Sequence, residues 1–137
     1  MVAAHLVATA FMAGLIVFVQ VVHYPLMADV GSGSFVEYEQ RHTTRTGWVV
    51  VPAMLTELGS ALWLALAPSR AGVGATPWIG LGLLAVIWVS TALLQAPAHG
   101  RLLGGFDGVV HARLVRTNWI RTVAWLLRVP IAVVLLG

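Results

Sequence analysis

The side chains able to do chemistry in this chain are few, and their spacing is informative. Of 137 residues, five are histidine, five are acidic and eight are basic; every basic one is an arginine. A histidine titrating near neutrality can act as a general base on an acidic carbon or a phenol, with arginine and asparagine stabilising the oxyanion that forms. His99 or His111 fits the base, and Arg121 with Asn118 the oxyanion partners. Gln20, His23, Gln95, Glu57 and Arg128 are the further polar groups able to hold a substrate. A second chemistry is open too, because neutral imidazoles with carboxylates suit iron, copper or zinc. His23, His42, His99 and His111 are the candidate ligands, for a metal ion or for haem. Glu39-Gln-Arg-His42 is a single copy of the Glu-x-x-His spacing that di-iron helix bundles use in pairs. The absence of cysteine excludes disulfides and thiolate metal sites.

The elements that must position these groups are set by composition. Hydrophobic residues make up 59% of the chain and charged residues only 9%, against about a quarter charged in a soluble domain. Four apolar windows, 3–22, 48–67, 77–96 and 119–136, each match the length needed to cross a bilayer at 1.5 Å rise per residue. The expected fold is therefore all-α: one integral membrane domain, 1–137, built as an up-down-up-down bundle of four transmembrane helices at about 3–26, 35–67, 77–98 and 108–136. The first window lacks a basic start and a small-residue cleavage site, so it reads as a retained helix and not a signal peptide. An all-arginine basic set with abundant Ala, Val, Leu, Gly and Trp fits a GC-rich bacterial genome.

Arg41, Arg45, Arg101, Arg113 and Arg116 fall in two of the three connections, and Arg70 alone falls in the other. The positive-inside rule then puts 27–47 and 98–117 in the cytoplasm, with both termini outside the cell membrane. Spread along loops and helix ends, without interleaved aromatics, the arginines do not make a nucleic-acid surface. Ser34-Phe-Val-Glu37 has capping-box spacing, and Asp107 is placed to cap the last helix. This topology gathers His23, His42, His99 and His111 in one cytoplasmic-side layer with Glu37, Glu39, Asp107, Gln20, Gln95 and Asn118. His5 is left at the opposite end.

Arg45-Thr-Gly-Trp48 and Arg116-Thr-Asn-Trp119 open the second and fourth helices 71 residues apart, and the same offset carries Glu57 onto Arg128. Each of these two lies nine residues past its tryptophan, about 13 Å inward and close to the midplane. A charge there costs roughly 2.5–3.5 kcal/mol on insertion scales, so the two predict an ion pair that either fixes helix register or polarises a substrate. Gln20 with His23 and Gln95 with His99 echo each other on the odd helices, which points to a tandem two-helix repeat.

The stretch Gln95-Ala-Pro97-Ala-His99-x-x-Leu102, followed by Asn118-Trp119-Ile-Arg121-Thr122, resembles the anthrone-oxygenase-like integral membrane proteins of the DUF1772 family. The resemblance covers mainly residues 90–130; the first half matches only in helix layout. It implies four helices, O₂-dependent oxidation of an anthrone without a recognised cofactor, and roles for Asn118, Arg121 and His99. Gln95 and His99 depart from the asparagines that often stand at those two positions. The function so read is an oxygenase or oxidoreductase acting on a small lipophilic aromatic, anthrone- or quinol-like, at the polar His/Arg/Asn layer. The alternative is a non-catalytic membrane protein that binds haem, metal or lipid through the same layer. The expected partners are the lipid bilayer and a small lipophilic molecule. A transporter would need the chain to form a homodimer, since four helices leave little room for alternating access.

Overall fold

The computed structural model describes residues 1–66 and 74–137. The described residues form four helical rods and no strand. They are α1 (Val2–Asp29), α2 (Ser32–Leu66), α3 (Thr76–Leu102) and α4 (Gly108–Val134). Arg70 and most of the connection expected between the second and third helices lie outside the described residues.

α1, α2 and α3 are long and apolar enough to cross a membrane. α4 has the length, at 27 residues, but not the composition: Arg113, Arg116, Arg121 and Arg128 all lie on it. Three rods therefore meet the criterion for a span where the sequence had suggested four.

α1 and α3 both continue through a proline and run a few residues past the expected ends at 26 and 98, for the same reason. A proline inside a helix lacks an N–H and its ring crowds the carbonyl four residues back. For Pro25 that carbonyl belongs to Val21, and for Pro97 to Leu93. Both fall in a π-helical turn, Val19–His23 in α1 and Thr91–Gln95 in α3. There the Tyr24 N–H reaches Val19 O and the Ala96 N–H reaches Thr91 O, each one residue further than in an α-helix. Widening the turn relieves the clash without ending the helix. In this register Pro25 matches Pro97 and His23 matches Gln95, so the expected equivalence of His23 with His99 shifts.

The helix starts divide the two capping expectations. Asp107 caps α4 as its type predicts, its Oδ1 accepting from Val109 N at 2.8 Å and Val110 N at 3.0 Å. The capping box at Ser34 does not form, because α2 already begins at Ser32. Ser34 N–H bonds Gly31 O, and the Glu37 carboxylate turns to Arg41 at 2.5 Å. The turn before α4 passes through Gly105 at φ +133°, a conformation that side chains resist.

α1 packs on α2 and α4, and α3 packs on the same two, so α1 faces α3 and α2 faces α4 across the diagonals of a square. Met12, Ile16, Met54, Leu84, Ile87 and Trp125 fill one buried cluster, and Tyr24, Met27, Phe35, Leu102 and Leu114 a second. The second cluster joins the end of α1, the start of α2, the end of α3 and the start of α4. Gly80 lets α3 approach α4 closely: a Cβ there would stand 3.2 Å from Ile131 Cγ2.

Candidate functional site

Two polar centres lie inside this frame, and they are built differently. The first spans the α2–α4 diagonal. Glu57 and Arg128, both fully buried, meet with Nη2 to Oε1 at 3.2 Å and Nε to Oε1 at 3.3 Å. Trp125 Nε1 donates to Glu57 Oε2 at 2.8 Å, and Arg128 Nη1 donates to the Gly80 carbonyl. Both carboxylate oxygens and all three guanidinium nitrogens are thus engaged. Nearby on the opposite side from the histidine layer, His5 pairs with Ser60 at 2.8 Å. Neither Glu57 nor Arg128 borders the apolar cavity lined mainly by α1, α2 and α3.

The second centre stands at the head of that cavity, a space of about 470 Å³ within the range typical of small-molecule sites. Met12, Leu15, Ile16, Val50, Met54 and Leu103 give it apolar walls, while Tyr24, His42, Thr46, Gln95, His99 and Arg121 supply polar groups. His99 Nδ1 donates to Glu39 Oε1 at 2.5 Å, and the Tyr24 hydroxyl pairs with His99 Nε2 at 2.9 Å. A carboxylate on Nδ1–H fixes the tautomer and leaves Nε2 as the basic nitrogen. His42 Nδ1 pairs with His23 Nε2 at 2.9 Å and with Thr46 Oγ1 at 3.1 Å. The His42 and His99 rings lie 5.3 Å apart. Arg121 is buried beside the Tyr24 hydroxyl, its guanidinium carbon 5.3 Å from the Trp125 ring centroid. That placement puts Arg121 in the cavity wall.

Of the nominated catalytic residues, His99 and Arg121 border the cavity and His111 and Asn118 do not. His111 Nε2 donates to the Tyr24 carbonyl at 2.7 Å, which ties α4 to α1. Asn118 Nδ2 donates to Gln20 Oε1 at 2.9 Å, and Gln20 Nε2 to Val115 O at 3.1 Å, a second tie between the same helices. Gln95 borders the cavity while bonding Ser90 and Thr117. Among the four histidines nominated as metal ligands, His23, His42 and His99 converge. His111 is held instead by the Tyr24 carbonyl, away from the cavity lining.

The described residues that cluster with metal-binding spacing are instead Glu39, His42 and His99, one ligand atom of each lying within 4.8 Å of the others. Two residues of this centre were not nominated from the sequence. Glu39 was placed in the polar layer and in an unrepeated Glu-x-x-His but not nominated as a site residue, and Tyr24 carried no signal beyond its place between His23 and Pro25. Glu39 Oε2 and Arg121 Nε are buried without a hydrogen-bond partner among the described residues. No family model, curated protein or solved structure matches the chain.

Proposed function

We propose that the chain is a multi-pass integral membrane protein of the cell membrane, an up-down-up-down bundle in which α4 is the fourth span. The direction of its arginines supports this. Arg121 and Arg128 turn inward and are buried, while Trp119, Ile120, Val123, Leu126, Leu127 and Val133 form an exposed apolar face that lipid would cover. Trp48 and Trp119 stand exposed one turn inside Arg45 and Arg116, as interfacial anchors do. The matched π turns before Pro25 and Pro97 support the tandem two-helix repeat. Both termini outside the cytoplasm remains the orientation favoured by the arginine bias. A C-terminal alkaline phosphatase fusion should then be active and a C-terminal fluorescent-protein fusion dark; the reverse pattern refutes the orientation.

Within that frame we propose an oxidoreductase that oxygenates a small lipophilic aromatic, anthrone-like, as the resemblance to the DUF1772 proteins implies. The observation that carries it is the apolar cavity headed by the Glu39–His99–Tyr24 line and Arg121. His99, held by Glu39, would take a proton from the activated carbon or phenol. Arg121 would stabilise the oxyanion in a water-poor site. The resulting carbanion is electron-rich enough to reduce O₂ directly. One anthrone and one O₂ give one anthraquinone and one water, so atoms and electrons balance without a further reductant. Asn118 and His111 serve this reading by fixing α1 against α4, which keeps Tyr24 and Arg121 together.

The test is O₂ consumption by the detergent-purified protein with an anthrone, followed by absorbance of the quinone product. Stoichiometric uptake that is lost in His99→Gln supports the reading. A Soret band, or tight binding of the anthrone without turnover, favours the non-catalytic binder.

A further inference from the structure

We propose that Glu39, His42 and His99 form a binding site for one divalent first-row transition-metal ion at the head of the cavity. The three come from two helices. Glu39 and His42 are three residues apart and share a face of α2, and His99 reaches them from α3 just past its π turn. One ligand atom from each lies within 4.8 Å of the others. Nitrogen and oxygen ligands about 2.0–2.2 Å from a metal stand about 3–4 Å apart in tetrahedral or octahedral geometry, so from a separation of up to 4.8 Å the widest pair closes by about 1–2 Å.

The remaining atoms of the three residues are arranged as a bound ion requires. The second nitrogen of a ligating histidine is normally held by a hydrogen-bond partner that fixes its tautomer and orientation. His42 Nδ1 is held by His23 and Thr46, and no hydrogen bond engages its Nε2 among the described residues. His99 Nε2 is held by the Tyr24 hydroxyl, while its Nδ1 faces Glu39 Oε1 at 2.5 Å. An ion would take the place of the proton between those two atoms. Glu39 is wholly buried, and its Oε2 has no partner among the described residues. A lone imidazolium leaves that oxygen unsatisfied, whereas a dication with His42 as third ligand uses the carboxylate more fully.

The donor set selects the ion. Two imidazoles and one carboxylate are too nitrogen-rich for calcium or magnesium and lack the sulfur that favours copper(I). Three protein ligands also leave coordination positions open, and His42 and His99 both border the cavity. The inference goes beyond the proposed reaction but draws on the same cavity and on two of the same residues, Glu39 and His99. In the ion-loaded chain His99 is a ligand rather than a free base, and the ion joins Arg121 in stabilising negative charge.

The experiment is a Co²⁺ titration of full-length protein, purified in detergent and stripped with a chelator, followed by visible absorption and metal analysis. The expected result is about one Co²⁺ per chain, with d–d bands distinct from those of the hexaaqua ion and lost on adding Zn²⁺. Glu39→Gln, His42→Ala and His99→Ala should each weaken Co²⁺ binding by at least about 10-fold. His5→Ala, at the far end of α1, should bind as the unaltered protein does. Absence of the bands, or unchanged affinity in the three ligand variants, overturns the proposal. Should a variant misfold by circular dichroism, the unaltered protein still decides. Its Cu²⁺ EPR spectrum should carry the couplings of two imidazole nitrogens, and a spectrum without them also overturns the site. None of these readouts uses an aromatic substrate, so failure to bind the ion and failure to oxygenate are separate results.

Discussion

The Glu57–Arg128 centre and the Glu39–His99 centre both bury a carboxylate against a cationic or protonatable partner, yet only the first is closed. Every polar atom of Glu57 and Arg128 has a partner, down to the Trp125 indole and the Gly80 carbonyl, and neither residue lines the cavity beside the second centre. Among the described residues Glu39 leaves one oxygen unpartnered and Arg121 one nitrogen, and His99, His42 and Arg121 open onto about 470 Å³ of space. A saturated buried network has nothing left to offer a ligand, so its energy goes into register and packing. An unsaturated one beside a cavity costs stability and retains bonding capacity for something else. The charge pair most conspicuous in the sequence is thus the structural one.

The largest effect should come from breaking the closed centre. Glu57→Gln or Arg128→Gln alone strands a buried charge and should cost about 3–5 kcal/mol, read as a sharp loss of folded protein in detergent. The double change, with two neutral amides facing each other, should recover much of that loss. Harmless single changes would erase the contrast between the centres. The open centre should show the opposite pattern. His99→Gln and Arg121→Gln should lower anthrone turnover by about 10²-fold or more, with thermal midpoints falling far less than in the Glu57 and Arg128 variants. Unfolding of both would make the open centre structural as well.

A smaller effect is expected at Gly80, beneath the closed pair. Its alanine variant must push Ile131 aside and should lose about 1 kcal/mol, at the low end for overpacking, because Cγ2 can yield by a few tenths of an ångström. A neutral outcome would mean that α3 and α4 tolerate wider separation than the Arg128–Gly80 bond implies. The smallest expected loss is at Asp107, whose alanine variant removes two cap bonds for about 1 kcal/mol or less. Thermal unfolding in detergent measures both. Because Asp107 lies at the histidine end, the variant also tests whether loosening the start of α4 affects turnover without removing a site residue.

What was legible in the sequence was whatever depends on local pattern. Apolar windows of bilayer length located the rods, and Asp107 announced its cap. The common offset from Trp48 and Trp119 paired Glu57 with Arg128, because two helices running in the same direction keep their levels matched. The prolines were equally visible, but their consequence was not. The expected helices stopped one residue past Pro25 and Pro97, at 26 and 98, whereas with a π turn before each proline the helix runs on to Asp29 and Leu102.

The composition of the candidate site depended on tertiary structure. A histidine's type says nothing about whether its nitrogen will meet a carboxylate, another ring or a main-chain carbonyl. His99 met Glu39 across 60 residues, His42 met His23, and His111 met the carbonyl of Tyr24. Topology alone was enough to bring the four histidines to one end of the bundle. Which of them face the cavity follows from helix rotation, and that is set by side-chain packing between rods that lie far apart in the sequence. Arg121 and Arg128 illustrate the same division. Seven residues apart on one face of α4, they share a local environment in sequence, but only the packed bundle gives Arg128 a saturated carboxylate and Arg121 an open cavity.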